Sequence, residues 1–149
     1  MNPKRIMLVE DNPDDELLTL RALQKINVLS GANEIVVARD GVEALDYLHD
    51  RDEDVSSEIL ARLPQLILLD LKLPKVDGLQ VLSKIRANPR TERVPVVVLT
   101  SSDEEKDISR SYDYGANSYI RKPIDFSQFI DTIGQLGMYW LLLNEVPKN

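Results

Sequence analysis

No cysteine occurs among the 149 residues, which excludes disulfides, thiolate metal sites and a cysteine nucleophile. Histidine occurs once, at His49, so the chain cannot build a multi-histidine metal centre of its own. Basic side chains are in deficit, 18 against 25 acidic ones, giving a formal charge of −7. That balance speaks against nucleic acid as a main partner, because neutralising phosphates takes clustered lysine and arginine. Long apolar runs are missing too. Nothing approaches the roughly 18 residues that a membrane span needs, and the opening stretch Ile6-Met7-Leu8-Val9 is too short for a signal-peptide core. The expectation is a cytoplasmic protein that engages neither membrane nor nucleic acid. No Gly-x-Gly-x-x-Gly or phosphate loop follows that first stretch, which disfavours a nucleotide-binding domain. Internal repeats and low-complexity segments are likewise lacking.

What is present is alternation. Short apolar runs at Ile6–Val9, Ile35–Ala38, Leu66–Leu69 and Val96–Leu99, with a weaker one at Ser118–Ile120, are mostly continuous rather than alternating. Continuous runs suit strands buried on both faces of a parallel sheet. Between them lie helical patterns: Leu17 to Ile26, Val42 to Leu48, Leu79 to Ile85, the polar segment Asp103–Tyr114, and a long last one carrying Phe126, Phe129, Ile130, Ile133, Leu136, Trp140 and Leu143. Five strand–helix alternations predict a doubly wound α/β fold with a five-stranded parallel sheet. Asp103 and Asp125 are placed to cap the fourth and fifth helices. Leu73 to Gly78 reads as a loop, and Asp50–Pro64 as an extended connection with a helical turn near Ile59-Leu60. The length fits one domain over residues 1–149, with 138–149 as a C-terminal extension.

Ligands of open parallel sheets sit outside the carboxyl ends of the strands. Those ends carry Glu10 and Asp11, Asp70, Thr100, and Lys122. Each has an ordinary reading: an acidic helix start, a polar strand end, a strand terminator, a surface lysine. Together they aim three carboxylates, a hydroxyl and an ammonium at one place. Three adjacent carboxylates need a cation, and hard oxygen donors suit Mg²⁺. An aspartate beside Mg²⁺ and a lysine can attack phosphorus, with both cations neutralising the transferred group. Thr100 offers a hydroxyl to the phosphoryl group once it has arrived.

The stretches Ile6–Asn12, Ala38–Leu45, Leu69–Pro74 with Asp77-Gly78, Val98–Ser101 and Gly115–Pro123 resemble the response-regulator receiver domain of two-component signalling. The resemblance implies a flavodoxin-like (βα)₅ fold and an aspartyl phosphate at Asp70. It implies Mg²⁺ held by Asp11, Asp70 and the Lys72 carbonyl, with Glu10 acting through water. It implies phosphoryl-reading roles for Thr100 and Lys122, a switch role for Tyr119, and a cis peptide between Lys122 and Pro123. The donor would be a sensor histidine kinase or a histidine phosphotransfer protein. The Val9–Asp15 opening, the long Asp50–Pro64 connection and the extended tail are most similar to the stand-alone regulators paired with phytochromes. Two departures stand out. Glu10 occupies a position where the family often has aspartate, and the spacing from Asp11 to Asp70 is long, with the excess assigned to loops at Asn27–Asn33 and Asp50–Pro64.

Other readings are weaker. An aspartate-nucleophile phosphatase needs a second aspartate two positions after the nucleophile, where this chain has Lys72. A phosphorylation-independent adaptor has no need of the full set Glu10, Asp11, Asp70, Thr100 and Lys122. His49 reads as a surface residue, not a phosphate donor. Past Gly137 the residues Met138 to Leu143 are apolar all round, more than one helix face can bury. That pattern favours a homodimer involving Tyr139, Trp140 and Leu143 over a fold-back of this end on the domain's own fourth-helix side, and the receiver resemblance implies the fourth-helix, fifth-strand, fifth-helix face for it.

Overall fold

The computed structural model describes residues 5–30, 34–49, 63–102, 104–122 and 125–145. Five parallel strands, β1 (Arg5–Val9), β2 (Glu34–Ala38), β3 (Leu66–Leu69), β4 (Val96–Thr100) and β5 (Ser118–Arg121), form one sheet in the order β2-β1-β3-β4-β5. The helices are α1 (Pro13–Ser30), α2 (Gly41–Leu48), α3 (Gly78–Ala87), α4 (Glu105–Asp113) and α5 (Phe126–Met138), and α5 runs into a π-helical turn at Tyr139–Leu143. The doubly wound reading holds. The strand order reverses between β1 and β3, the kind of switch point where such sheets place their ligands.

Side chains alternate across the sheet, which divides the core in two. Met7, Val9, Ile67, Leu69, Val96 and Val98 face the side packed by Ala44, Leu48, Val81, Leu82 and Ile85 of α2 and α3. Ile6, Leu8, Leu66, Leu68, Val97 and Leu99 face the side packed by Ala22 and Leu23 of α1 and by Phe129 and Ile133 of α5. Because both faces are covered, the three central strands carry no polar residue at all and read as unbroken apolar runs, apart from Arg5 at the start and Thr100 at the end.

Local signals start the helices. The Asn12 side chain accepts hydrogen bonds from the Asp14 and Asp15 amides, and Pro13 opens α1 where a missing N–H costs nothing. Asp40 caps α2, Asp77 caps α3, and Asp125 caps α5 as expected. The Asp-Gly at 77–78 therefore begins a helix and does not merely punctuate a loop. Gly78 lies against the backbone just past β3: a Cβ there would stand 2.3 Å from the Asp70 carbonyl oxygen.

At the amino ends of the strands one guanidinium joins three segments. Arg86, at the end of α3, donates to the Gly115 carbonyl, to the Glu92 and Val94 carbonyls before β4, and to the Asn117 side chain before β5. Gly115 has φ of +100°, and a Cβ there would meet Arg86 at 2.9 Å.

Several expectations change. The loop expected from Asn27 begins later, because α1 continues to Ser30. The fourth helix starts at Glu105, and its cap position is Glu104, which makes no side-chain capping bond. Asp103 lies outside the described residues, as do residues 50–62 of the long connection and Pro123 with its peptide bond to Lys122. His49 is half-buried, not on the surface. It closes the end of α2, with Nε2 3.2 Å from Thr91 Oγ1. The Thr91 hydroxyl gives its own proton to the Ile85 carbonyl, so His49 is the donor. Burial, with Arg90 and Lys84 nearby, holds its pKa below the usual histidine value. The last helix is not one continuous α-helix. Its widening into a π turn carries Leu141 into the core at 1% exposure while Tyr139 and Leu143 stay 48% and 69% exposed.

Candidate functional site

Backbone bonds bring the strand ends together first. The Asp70 amide donates to the Val9 carbonyl, and the Glu10 amide to the Ala38 carbonyl, continuing the ladders one residue past β1 and β3. The Lys122 amide donates to the Thr100 carbonyl at 2.7 Å and does the same for β4 and β5. Ladder extension alone therefore delivers Glu10, Asp70, Thr100 and Lys122 to the carboxyl edge of the sheet.

Lys122 is the centre of the cluster. Its ammonium lies 3.0 Å from Glu10 Oε2, 2.9 Å from Asp15 Oδ2 and 3.1 Å from Asp70 Oδ2. Three N–H donors thus meet three carboxylates. Asp15 was not singled out from the sequence as a site residue. It stands in the first turn of α1, where an acid serves any helix, and nothing local distinguishes it from Asp14. Its role follows from where the α1 entry turn directs it.

Negative charge remains in surplus. Glu10, Asp11 and Asp70 each offer a carboxylate oxygen, and these oxygens lie within 4.8 Å of one another. Burial and the neighbouring Asp70 carboxylate push Glu10 up to about 8, against the pull of Lys122. Burial disfavours the Lys122 ammonium, but the bond to Asp15 and the charges of Asp70 and Glu10 outweigh it and raise its pKa above the ordinary lysine value. Hard oxygen donors with excess negative charge fit a divalent cation, Mg²⁺ above all. Asp11 is exposed, Asp70 buried, and Glu10 almost fully buried.

Two further groups face this edge. Thr100 is fully buried, and its hydroxyl has no hydrogen-bond partner among the described residues. A buried hydroxyl left unpaired costs about 1–3 kcal/mol unless something completes it. The Lys72 amide donates to Asp70 Oδ1 at 3.2 Å, fixing the carboxylate in its loop.

Tyr119 lies on β5, half-buried against the core cluster of Met7 and Val9. Its hydroxyl donates to the Ser102 carbonyl at 2.7 Å. Ser102 in turn donates its hydroxyl to Asp107 in the first turn of α4. The tail residues are elsewhere. Trp140 packs partly on the α1–α5 side of the core and meets the Tyr139 ring edge-on at 5.0 Å.

The chain matches the model of the response regulator receiver domain over residues 6–134. It is similar to the response regulator Rcp1 of Synechocystis sp. strain PCC 6803, with 37% identity over 97% of this chain and 94% of the relative. The Mn²⁺-bound structure of Rcp1 superposes with a TM-score of 0.82, at 36% identity, over 98% of this chain and all of that one. The phosphorylated cyanobacterial phytochrome response regulator RcpA gives a TM-score of 0.85 at 40% identity, covering 98% and 99% of the two chains. The bacteriophytochrome response regulator AtBRR gives 0.68 at 50% identity, covering 97% and 100%.

Proposed function

This chain belongs to the response regulator receiver domain family, and from that premise we propose that Asp70 accepts a phosphoryl group from a histidine kinase or a histidine phosphotransfer protein. The observation that carries the assignment is the setting of Asp70: an 8%-exposed carboxylate at the end of the central strand, bonded to the Lys122 ammonium. An Asp70 oxygen attacks phosphorus as the bond to the donor imidazole breaks. Lys122 follows the charge onto the phosphoryl oxygens. The buried Thr100 hydroxyl, unpaired within the protein, gains an acceptor there.

Asp11, Asp70 and the Lys72 carbonyl would hold Mg²⁺, with Glu10 acting through water. The ion supplies charge neutralisation for the transferred group. The acidic triad supports this reading, as does the Mn²⁺-bound state of the relative Rcp1. The chain catalyses only its own phosphorylation and dephosphorylation. Similarity to phytochrome-associated regulators favours a phytochrome-type kinase as donor.

Residues 1–149 form one receiver unit in this reading, with 138–149 as its extension. Tyr119 is the switch: when Thr100 shifts toward the phosphoryl group, the bond from Tyr119 to Ser102 reports the change to α4. A homodimer forms through the face of α4, β5 and α5, and exposed Tyr139 and Leu143 extend it.

The test is labelling by a small acyl phosphate in the presence of Mg²⁺. The wild type takes an acyl-phosphate label, while Asp70→Asn or added chelator abolishes it. Labelling of Asp70→Asn at the wild-type level would overturn the assignment. It would leave the phosphorylation-independent adaptor as the reading to pursue.

A further inference from the structure

A groove of about 480 Å³ lies between α3 and α4, with Val76 and Asp77 of the loop after β3 in its lining. Its floor is apolar, with Val76 and Leu79 on one side and the Tyr114 ring, 46% exposed, on the other. Lys84 stands on the α3 wall and Arg110 on the α4 wall. Neither is ion-paired among the described residues, although the chain carries a formal charge of −7. In a protein so rich in acids, two unpaired cations facing one groove mark a place complementary to external carboxylates. Asp77 sits at the rim, but its carboxylate is committed to capping α3 through the Gln80 amide. It also sets a polarity, since an acidic guest avoids it and lies toward Lys84 and Arg110.

We propose that this groove docks an acidic segment of a partner protein, with carboxylates at Lys84 and Arg110 and one large apolar side chain on Val76, Leu79 and the ring of Tyr114. The volume suits one such side chain with its flanking backbone. The aromatic ring offers an amphipathic anchor of the kind that dominates protein contacts.

The two cations stand on different helices, so their separation reports where α4 lies. Among the residues of α4 only Ser111 is fully buried, and a helix held so lightly moves at little cost. Its first turn is tethered through Asp107 to Ser102, two residues past Thr100, and Ser102 also receives the Tyr119 hydroxyl. An event at Thr100 therefore has a covalent and hydrogen-bonded route to the Arg110 wall. This gating rests on the phosphoacceptor reading above; the docking itself does not.

The test uses the full chain, labelled with ¹⁵N, and a capped hexapeptide in which four Glu or Asp residues flank a Leu-Phe pair. The expected result is a set of amide shifts confined to Ser83, Lys84, Arg110, Tyr114 and their neighbours. Affinity should fall at least tenfold in Lys84→Glu/Arg110→Glu, and less in the neutral variant Lys84→Gln/Arg110→Gln. Both variants should still take phosphate at Asp70. Repeating the titration with beryllofluoride and Mg²⁺ should change the affinity. Equal affinity in the two states, with the charge-reversed variant still defective, supports the docking site and refutes the gating. Shifts elsewhere on the protein, indifference to charge reversal, or equal binding of hexaglutamate without the apolar pair would overturn the proposal.

Discussion

Lys122 and Asp15 form the shortest ion pair of the acidic cluster at the carboxyl edge of the sheet, 2.9 Å between Nζ and Oδ2, and join the end of β5 to the first turn of α1. Asp15 is 35% exposed at its side chain while Glu10 is 3% and Asp70 10%. The lysine is thus drawn outward by the one partner that belongs to no proposed metal set. Asp15→Asn should free Lys122 for incoming phosphoryl oxygens and remove a charge that repels an anionic donor. Both effects have the same sign. Phosphorylation by a small acyl phosphate should speed up by about three- to tenfold, the scale of one charge-assisted contact. Mg²⁺ affinity should change little. Phosphoprotein gels over time read the rate, and a slower variant would show that Asp15 assists the reaction.

Thr100 offers a prediction with two opposite signs. Thr100→Val removes the unpaired buried hydroxyl and keeps the shape. The unphosphorylated protein should gain about 1 kcal/mol, the scale of an unmet buried polar group, seen as a higher Tm. The same variant should accept phosphate yet lose the phosphorylation-dependent change at α4. A lower Tm would mean that the hydroxyl already has a partner.

The pH dependence turns on Glu10. Its native pKa, raised to about 8 from an ordinary value of 4.5, means that the folded chain holds a proton which the unfolded chain has lost. This contribution to stability is complete below about pH 4.5 and disappears as pH rises through 8. Without metal, Tm should fall between about pH 5 and 8 and level off above that, and Glu10→Gln should flatten that slope. Bound Mg²⁺ must displace the proton, so Mg²⁺ affinity should rise over the same interval. Thermal melts with and without Mg²⁺ across the range check both. A metal-free Tm that climbs from pH 5 to 8 would contradict the assignment.

Tyr119→Phe deletes the bond to the Ser102 carbonyl and retains the ring. The loss should be about 0.5–1.5 kcal/mol, with amide exchange accelerated in the first turn of α4. Labelling at Asp70 should persist. Unchanged exchange at α4 would remove Tyr119 from the path between Ser102 and that helix.

For self-association the structure selects the substitutions. Trp140 is partly committed to the core, so replacing it costs the fold as well as any interface. Tyr139 and Leu143 are exposed and serve better. Tyr139→Glu/Leu143→Glu should convert a dimer to a monomer that still accepts phosphate, as read by sedimentation. A wild type that is monomeric at tens of micromolar, phosphorylated or not, would end the dimer reading.

The sheet was legible because burial on both faces leaves strands as bare apolar runs: Leu66-Ile67-Leu68-Leu69 contains nothing that could be placed elsewhere. Glu10, Asp70 and Thr100 were legible for a related reason, as the first polar residues after such runs, while Lys122 was legible as the lysine that follows the fifth strand and precedes Pro123. Asp15 was not, because its partner lies 107 positions away and its helix-start position explains it equally well. Nor was the π turn. Met138 to Leu143 announces surplus apolar surface, but which residue turns inward depends on one extra residue of helical winding, and Leu141 was not distinguishable from its neighbours. His49 misled because an imidazole beside acidic residues looks solvated, whereas Thr91, far along the chain, receives it.

The Arg86 staple gives the domain a mechanical asymmetry. It bolts the amino ends of β4 and β5 to the end of α3 through four acceptors, while at the opposite ends of the same strands Thr100 has a spare hydroxyl and α4 hangs from Ser102. The far ends of β4 and β5 are tied through Lys122 to β1, β3 and α1, so the part left free is α4, which buries only Ser111. Clamped strands with a lightly hung helix beside them behave as a hinge: a push applied near Asp70 should be expressed in α4 and die away toward the Arg86 clamp.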